Sequence, residues 1–373
     1  MRFPEFSGEW EKCTLGGIGT TFNGLTGKSA NDFGSGSPFI TYKSIFDSSK
    51  IDISKVEYVR ISETERAKQT QNEVEYGDIF FTTSSETPEE VGMASVLLTP
   101  IHDCYLNSFC FGYRLFDKQA YLPDFFRFYL RSNNVRRKIA ILAQGSTRFN
   151  ISKNEVMKMS IFLPPQNEQR KISEFFSLIE ERIETQKKII EKYESLIRGL
   201  CEKLTRQGEA NKSINECLEC HSSTLQENSL MDDGKYPVYG ATGICGYTDT
   251  PDSTGDGILI IKDGASVGVT SYAEGCYSAI GTLNRLIAKQ NIHLRYVYYC
   301  LKVMNFSTYK TGLAIPHIYF KDYGRHKIWC PSYEQQSHIA KILTKIDDKM
   351  QVEKSLLERL DSQKRYMLNQ LFI

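Results

Sequence analysis

Two stretches of the chain carry apolar residues at steps that alternate between four and three. The first runs Ile172, Phe176, Ile179, Ile183, Gln186, Ile190, Tyr193, Ile197, Leu200 and Leu204, and the second runs Ile339, Leu343, Ile346, Met350, Glu353, Leu357, Leu360, Lys364, Met367 and Leu371. This is the a/d seam of a coiled coil and predicts two long helices that pack together. The first polar seam position comes at the same place in both, Gln186 in one and Glu353 in the other. Each helix follows proline, at Pro164-Pro165 or Pro331, and holds none inside, as a helix that starts afresh requires. About 40 residues at ~1.5 Å rise make a rod of roughly 60 Å, and antiparallel pairing predicts that the domains lie near opposite ends of it.

The two seams belong to a larger repeat. Shifting the chain by 167 residues lays 145–205 on 312–372 without a gap: Gly145 meets Gly312, Ile151 meets Ile318, Pro164 meets Pro331, Gln169 meets Gln336, and Leu204 meets Leu371. Upstream the shift drifts to about 171, where Arg114-Leu115 meets Arg285-Leu286, so the halves differ in loop length. The organisation predicted is residues 1–163 as a first domain, 164–210 as a central spacer helix, 211–330 as a second domain and 331–373 as a C-terminal spacer helix.

Outside the helices, short apolar runs bounded by turn residues predict strands, as at Tyr76–Thr83 and Gly257–Lys262. Helical periodicity predicts one helix in each domain, over Pro123–Ala143 and Leu294–Asn305. The fold class expected is therefore α+β: two β-rich mixed domains, separated by two long antiparallel coiled-coil helices, in a pseudo-two-fold tandem repeat.

Charge adds information through its placement. The totals, 46 basic against 45 acidic residues, exclude a polybasic coat for nucleic acid. Yet no acid lies between Asp124 and Glu155, a stretch that holds Arg127, Arg131, Arg136, Arg137, Lys138, Arg148 and Lys153. The second copy repeats this between Glu274 and Asp322, with Arg285, Lys289, Arg295, Lys302, Lys310 and Lys321 beside His293 and His317. Neutralisation of duplex phosphates accounts for two such stretches at equivalent places, with Arg, Asn and Gln near loops available for base edges. A solvated helix face is the alternative. The aromatic residues of the same stretches, such as Phe125 and Tyr296, have the spacing of a buried helix face.

At 373 residues the chain exceeds the roughly 250–300 at which one core stops growing, so more than one packed unit is expected. No apolar run approaches the roughly 18 residues of a membrane helix, and the opening Met1-Arg2-Phe3-Pro4-Glu5-Phe6 has no signal-peptide character. A soluble, cytoplasmic protein is expected, with its ten cysteines reduced. Catalytic and metal motifs fail on inspection. Gly24–Ser29 imitates a phosphate loop but has Phe22 where the first glycine belongs, and Cys217-Leu218-Glu219-Cys220-His221 has no second pair to complete a zinc site. Near Asp252, Asp256 and Lys262 a nuclease core would need a carboxylate where Ile260 stands, and Pro164-Pro165 lacks the flanks of the amino-methyltransferase motif. No metal site is predicted, and the chain reads as non-catalytic.

Several phrases carry a family resemblance. Leu163-Pro164-Pro165-Gln166-Asn167-Glu168-Gln169-Arg170-Lys171-Ile172 and Pro331–Ile339 resemble the helix starts of the specificity subunit of type I restriction-modification systems. Tyr236–Tyr247 resembles the opening of one of its target-recognition domains, while Gly145–Ser152 and Thr311–Ile318 resemble the closing segments. The resemblance covers nearly the whole chain and is weakest over 1–120. It departs at Ser337-His338, which stand where Arg170-Lys171 stand in the first copy.

The resemblance implies a subunit that binds double-stranded DNA through two domains, each reading half of an asymmetric site, and that neither cuts nor methylates alone. Two modification (methyltransferase) subunits would dock on the helices, joined by restriction (motor-nuclease) subunits. This chain would bind no cofactor, since S-adenosylmethionine, ATP and Mg would belong to the partners. Candidate DNA contacts are Lys28, Arg114, Thr147, Arg148 and Asn150 in the first domain, and Tyr239, Lys262, Ser266, Arg285, Lys310 and His317 in the second. Two other readings remain open: a coiled-coil scaffold showing two β-rich domains to protein partners, and the specificity chain of a methyltransferase-only system.

Overall fold

A computed structural model describes residues 2–69, 72–312 and 314–372. Two compact units divide the chain, one of residues 1–185 with 358–373 and one of residues 186–357.

The first unit is built on a four-stranded antiparallel sheet of β1 (Gly19–Asn23), β2 (Ile79–Thr82), β3 (Ala94–Val96) and β4 (Cys110–Leu115), in the order β1-β4-β2-β3. The second repeats that order with β5 (Leu218–Ser222), β6 (Gly257–Ile261), β7 (Thr270–Ala273) and β8 (Leu283–Ala288), as β5-β8-β6-β7. A second sheet accompanies each, of three strands in the first unit and four in the second, and both include a parallel pair, Phe33–Ile40 with Tyr105–Leu106 and Tyr236–Gly240 with Cys276–Ala279. The strands at Ile79–Thr82 and Gly257–Ile261 are buried at every position, which is why they read as unbroken apolar runs.

Strand register corrects one sequence alignment. Gly19 pairs Leu115 while Leu218 pairs Ala288, and Ile79 pairs Tyr113 while Ile258 pairs Leu286. The structural equivalent of Arg285 is therefore Gly112, not Arg114. A side chain at Gly112 would have its Cβ 2.0 Å from the Phe22 ring, so the place that Arg285 occupies in one copy is filled by an aromatic ring in the other.

The helix expected over Pro123–Ala143 is two, Pro123–Tyr129 and Asn133–Ile141. Ser132 ends the first by donating its hydroxyl to Tyr129 O and stands as the N-cap residue of the next. Its counterpart in the second unit is the single helix Leu294–Lys302.

The long helices are α1 (Gln166–Thr205) and α2 (Tyr333–Leu371). Within the first unit their pairing is antiparallel: Phe176 stacks on Phe372 at 5.9 Å, and Glu180 accepts from Lys364 at 2.6 Å. Within the second, Lys354 pairs with Glu194 at 2.8 Å, and Ile197 and Cys201 share a core with Ile339, Ala340 and Leu343. Ile172, Phe176, Ile183, Ile190, Ile197, Ile339, Leu343, Met350 and Leu360 are buried, Ile179 and Ile346 pack partly against the cores, and Leu357 is half-buried. The shared polar seam position has a partner within the repeat itself: the Gln186 amide donates to the Glu353 carboxylate and carbonyl. Positions related by the duplication meet there, and a part-buried polar pair on a mostly apolar seam holds its register.

The proline-glutamine repeat at the helix starts also has a structural cause. Gln169 donates to Pro164 O and accepts from Leu122 N at 2.9 Å, while Gln336 donates to Pro331 O and accepts from His293 N at 2.9 Å. Each buried glutamine ties the first turn of a long helix to the start of the domain helix before it. Among the described residues no helix is long and apolar enough to cross a membrane.

Candidate nucleic-acid interface

Each unit closes on a hairpin. In the first, Gln144 and Asn150 exchange backbone hydrogen bonds of 2.9 and 2.8 Å; in the second, Thr311 and His317 do so at the same distances. The turn residue is glycine in both, Gly145 at φ 135° and Gly312 at φ 86°. A Cβ there would lie 2.2 Å from Arg148 O or 2.4 Å from Ile315 O, so both the dihedral and the close approach require glycine. The hairpins are rooted identically, Ile151 N donating to Thr83 O and Ile318 N to Lys262 O at 2.9 Å each, with both isoleucines buried.

The tips differ. Ser146, Thr147, Arg148 and Asn150 are exposed on the first, where Arg148 donates to Ser84 Oγ at 3.2 Å. The second presents Ala314 and Ile315, the latter 57% exposed, and its His317 lies with Nδ1 2.7 Å from the Asp263 carboxylate. Lys310 is exposed immediately before this hairpin. Ser266 is exposed in the turn after Asp263, and Lys262 supplies the carbonyl that roots the hairpin. Of the expected contacts, Thr147, Arg148 and Asn150 thus share one hairpin, while Lys262, Ser266, Lys310 and His317 surround the other.

The remaining four lie elsewhere. Arg285 and Tyr239 meet at Tyr277: the Arg285 guanidinium lies over its ring and donates to its hydroxyl at 3.0 Å, and Tyr239 packs edge-on against it. Arg285 and His221 line a polar cavity of about 560 Å³. Arg114 is turned inward, donating to both oxygens of the fully buried Asp78 at 2.8 and 2.7 Å and to Glu73 O. Lys28 is 8% exposed at its side chain and donates to Glu65 at 2.7 Å. That bond, with the Ser62 hydroxyl and backbone amide, holds the Glu65 carboxyl at about 2. A depressed carboxylate contributes stability that is present above the unfolded value, about 4.3, and lost as pH falls toward about 2. A carboxyl-detected NMR titration should place the Glu65 midpoint in that window, and in Lys28→Ala it should move up toward ordinary glutamate; an unmoved midpoint would remove Lys28 as its cause.

The cation-rich stretches are only in part an outward face. Arg127 is buried between Glu180 and Ser177. Arg131 donates to Ala94 O, Ile45 O, Phe46 O and Ser48 O, and Arg136 to Glu89 O, Val91 O and Gly92 O. Burial pushes both Arg131 and Arg136 down to about 10. In the second unit Arg295 pairs with Glu274 and Lys302 with Asp347. These side chains satisfy carbonyls and acids distant in sequence, so an acid-free stretch need not be one of unpaired charge. Ser84 and Asp263, the hairpin partners, went unrecognised in the sequence because they lie just past the central strands Ile79–Thr82 and Gly257–Ile261, far along the chain from the hairpins they meet.

Two domains with one strand order in their central sheets, each with an anchored hairpin and followed by a matched long helix, define a tandem-duplicated protein. The profile of the type I restriction modification DNA specificity domain matches residues 7–195 and again 210–362, and the chain belongs to that family. A Mycoplasma genitalium protein described as a candidate type I specificity subunit is 26% identical over 268 residues, 65% of this chain and 70% of that one. The type I restriction enzyme EcoprrI specificity subunit of Escherichia coli is 30% identical over 112 residues, 30% of this chain and 28% of that one. In fold, the crystal structure of the type I restriction-modification S subunit from M. genitalium matches with a TM-score of 0.65 at 20% identity, over 100% of this chain and 99% of that one. A chain from a type I restriction-modification system structure concerned with complex assembly matches at 0.57 and 16% identity, over 99% and 98%.

Proposed function

We propose that this chain reads a bipartite, asymmetric DNA site, taking residues 1–163 and 211–330 as the two readers and the helices in 164–210 and 331–373 as the spacer that sets the gap. The carrying observation is that the two closing hairpins share their anchoring hydrogen bonds and a turn glycine but expose different side chains at their tips, as two readers of unlike half-sites would. Linking two weak half-site contacts turns the second into an intramolecular event and makes the pair selective. Modification subunits docked on the helical region methylate adenine, restriction subunits add cleavage, and S-adenosylmethionine, ATP and Mg belong to those partners; the assembly works in the cytoplasm.

Mapping methylated adenines in the source genome, with this gene intact and deleted, tests the proposal. One bipartite motif should disappear on deletion. Persistence of every motif, together with binding of the co-expressed complex to duplex DNA that does not weaken as salt rises, would reject it.

A further inference from the structure

We infer that the closing hairpins are the base-reading elements of the two domains, and that positions 148 and 150 in the first and 315 and 317 in the second decide which bases each half-site prefers. The inference rests on the DNA-reading function proposed above and narrows it to two equivalent loops.

Equivalence holds bond for bond. Ser84 pairs Asn150 as Asp263 pairs His317, and the amide after each hairpin returns to its strand through Thr83 O or Lys262 O. Both turns demand glycine for the same steric reason, and both legs end in a buried isoleucine. A loop so anchored loses little freedom on binding and can present a side chain to a base edge in one geometry. Two copies of one scaffold have meanwhile been given opposite chemistry. The exposed Arg148 offers the paired donors that suit guanine O6 and N7, and the exposed Asn150 an amide whose N–H suits adenine N7 while its oxygen accepts from adenine N6. Ile315 offers apolar surface to a thymine methyl, and the Asp263 carboxylate accepts from His317 Nδ1, which leaves Nε2 facing away from that bond.

The experiment uses the full chain co-expressed with its modification subunits. Residues 313–317 are replaced by the sequence of 146–150, Ser-Thr-Arg-Phe-Asn, with Asp263→Ser to supply the matching partner, and the methylated motif is mapped. The expected result is a motif whose first half is retained and whose second half changes. A mapped motif unchanged in both halves, beside a wild-type chain that directs bipartite methylation, overturns the inference and leaves the proposed function standing. Arg148→Gln, a substitution at an exposed position, covers the case of a graft that does not fold. Its complex should lose roughly tenfold or more of its discrimination at one base pair. Uniform weakening on all sequences, with a shallower salt dependence, would mark Arg148 as a phosphate contact and overturn it.

Discussion

Phe372→Ala is expected to destabilise the first unit by about 3–5 kcal/mol, the range for emptying a buried phenylalanine site. Phe372 is 2% exposed. Its ring lies 5.8 Å from Phe125, 5.6 Å from Tyr129, 5.9 Å from Phe176 and 6.5 Å from Trp10, so four rings from three other parts of the chain close around it. Three of the contacts are edge-on and the one with Phe176 is stacked, arrangements worth about 0.5–1.5 kcal/mol each beyond area alone. Because rings hold most of the site, it cannot collapse around alanine without moving α1. Thermal unfolding followed by tyrosine and tryptophan signals should show the transition of this unit lowered by roughly 6–20 °C. Hydrogen exchange should quicken first in Pro123–Tyr129 and the start of α1. A shift within that of an exposed substitution such as Leu178→Ala would show that the ring contributes little.

What the sequence disclosed and withheld follows from the range of each interaction. The long helices were legible because a heptad pattern is local, and the duplication was legible because helix length and helix starts have drifted little between the copies. The hairpins were legible in part: Gly145 aligned with Gly312, which marked a shared turn. Their partners were not, since Ser84 and Asp263 lie behind connections of different length in the two halves. The same loop changes misaligned Arg114 with Arg285, and only strand register placed Gly112 opposite Arg285. Phe372 lies one residue past the final seam position, Leu371, so the coiled-coil pattern gave no hint that it plugs a domain core. The buried arginines were the least readable, because their partners are backbone carbonyls, and a carbonyl leaves no mark in a sequence.

Those carbonyls make Arg131 the most demanding of the cations. Three of its four acceptors, Ile45 O, Phe46 O and Ser48 O, belong to the C-terminal end of the short helix Tyr42–Asp47, where carbonyls lack partners within the helix and the dipole is negative. The fourth, Ala94 O, belongs to β3. One guanidinium therefore joins a helix end to the central sheet, and a planar fork of donors is the side chain suited to it. Arg131→Ala leaves several part-buried carbonyls without a donor at once, at about 1–3 kcal/mol for each that water does not reach. A total loss of roughly 3 kcal/mol or more is expected, whereas Arg137→Ala, at an exposed neighbour, should fall within about 0.5 kcal/mol of wild type. Arg131→Lys separates charge from geometry: an ammonium reaches one or two of the carbonyls but not all four, so it should recover only part of the loss. Chemical denaturation of the three variants decides the matter. Equal stabilities for Arg131→Ala and Arg137→Ala would mean that water replaces the guanidinium at the helix end, and recovery by lysine to wild type would mean that charge alone, without the fork, holds the helix to the sheet.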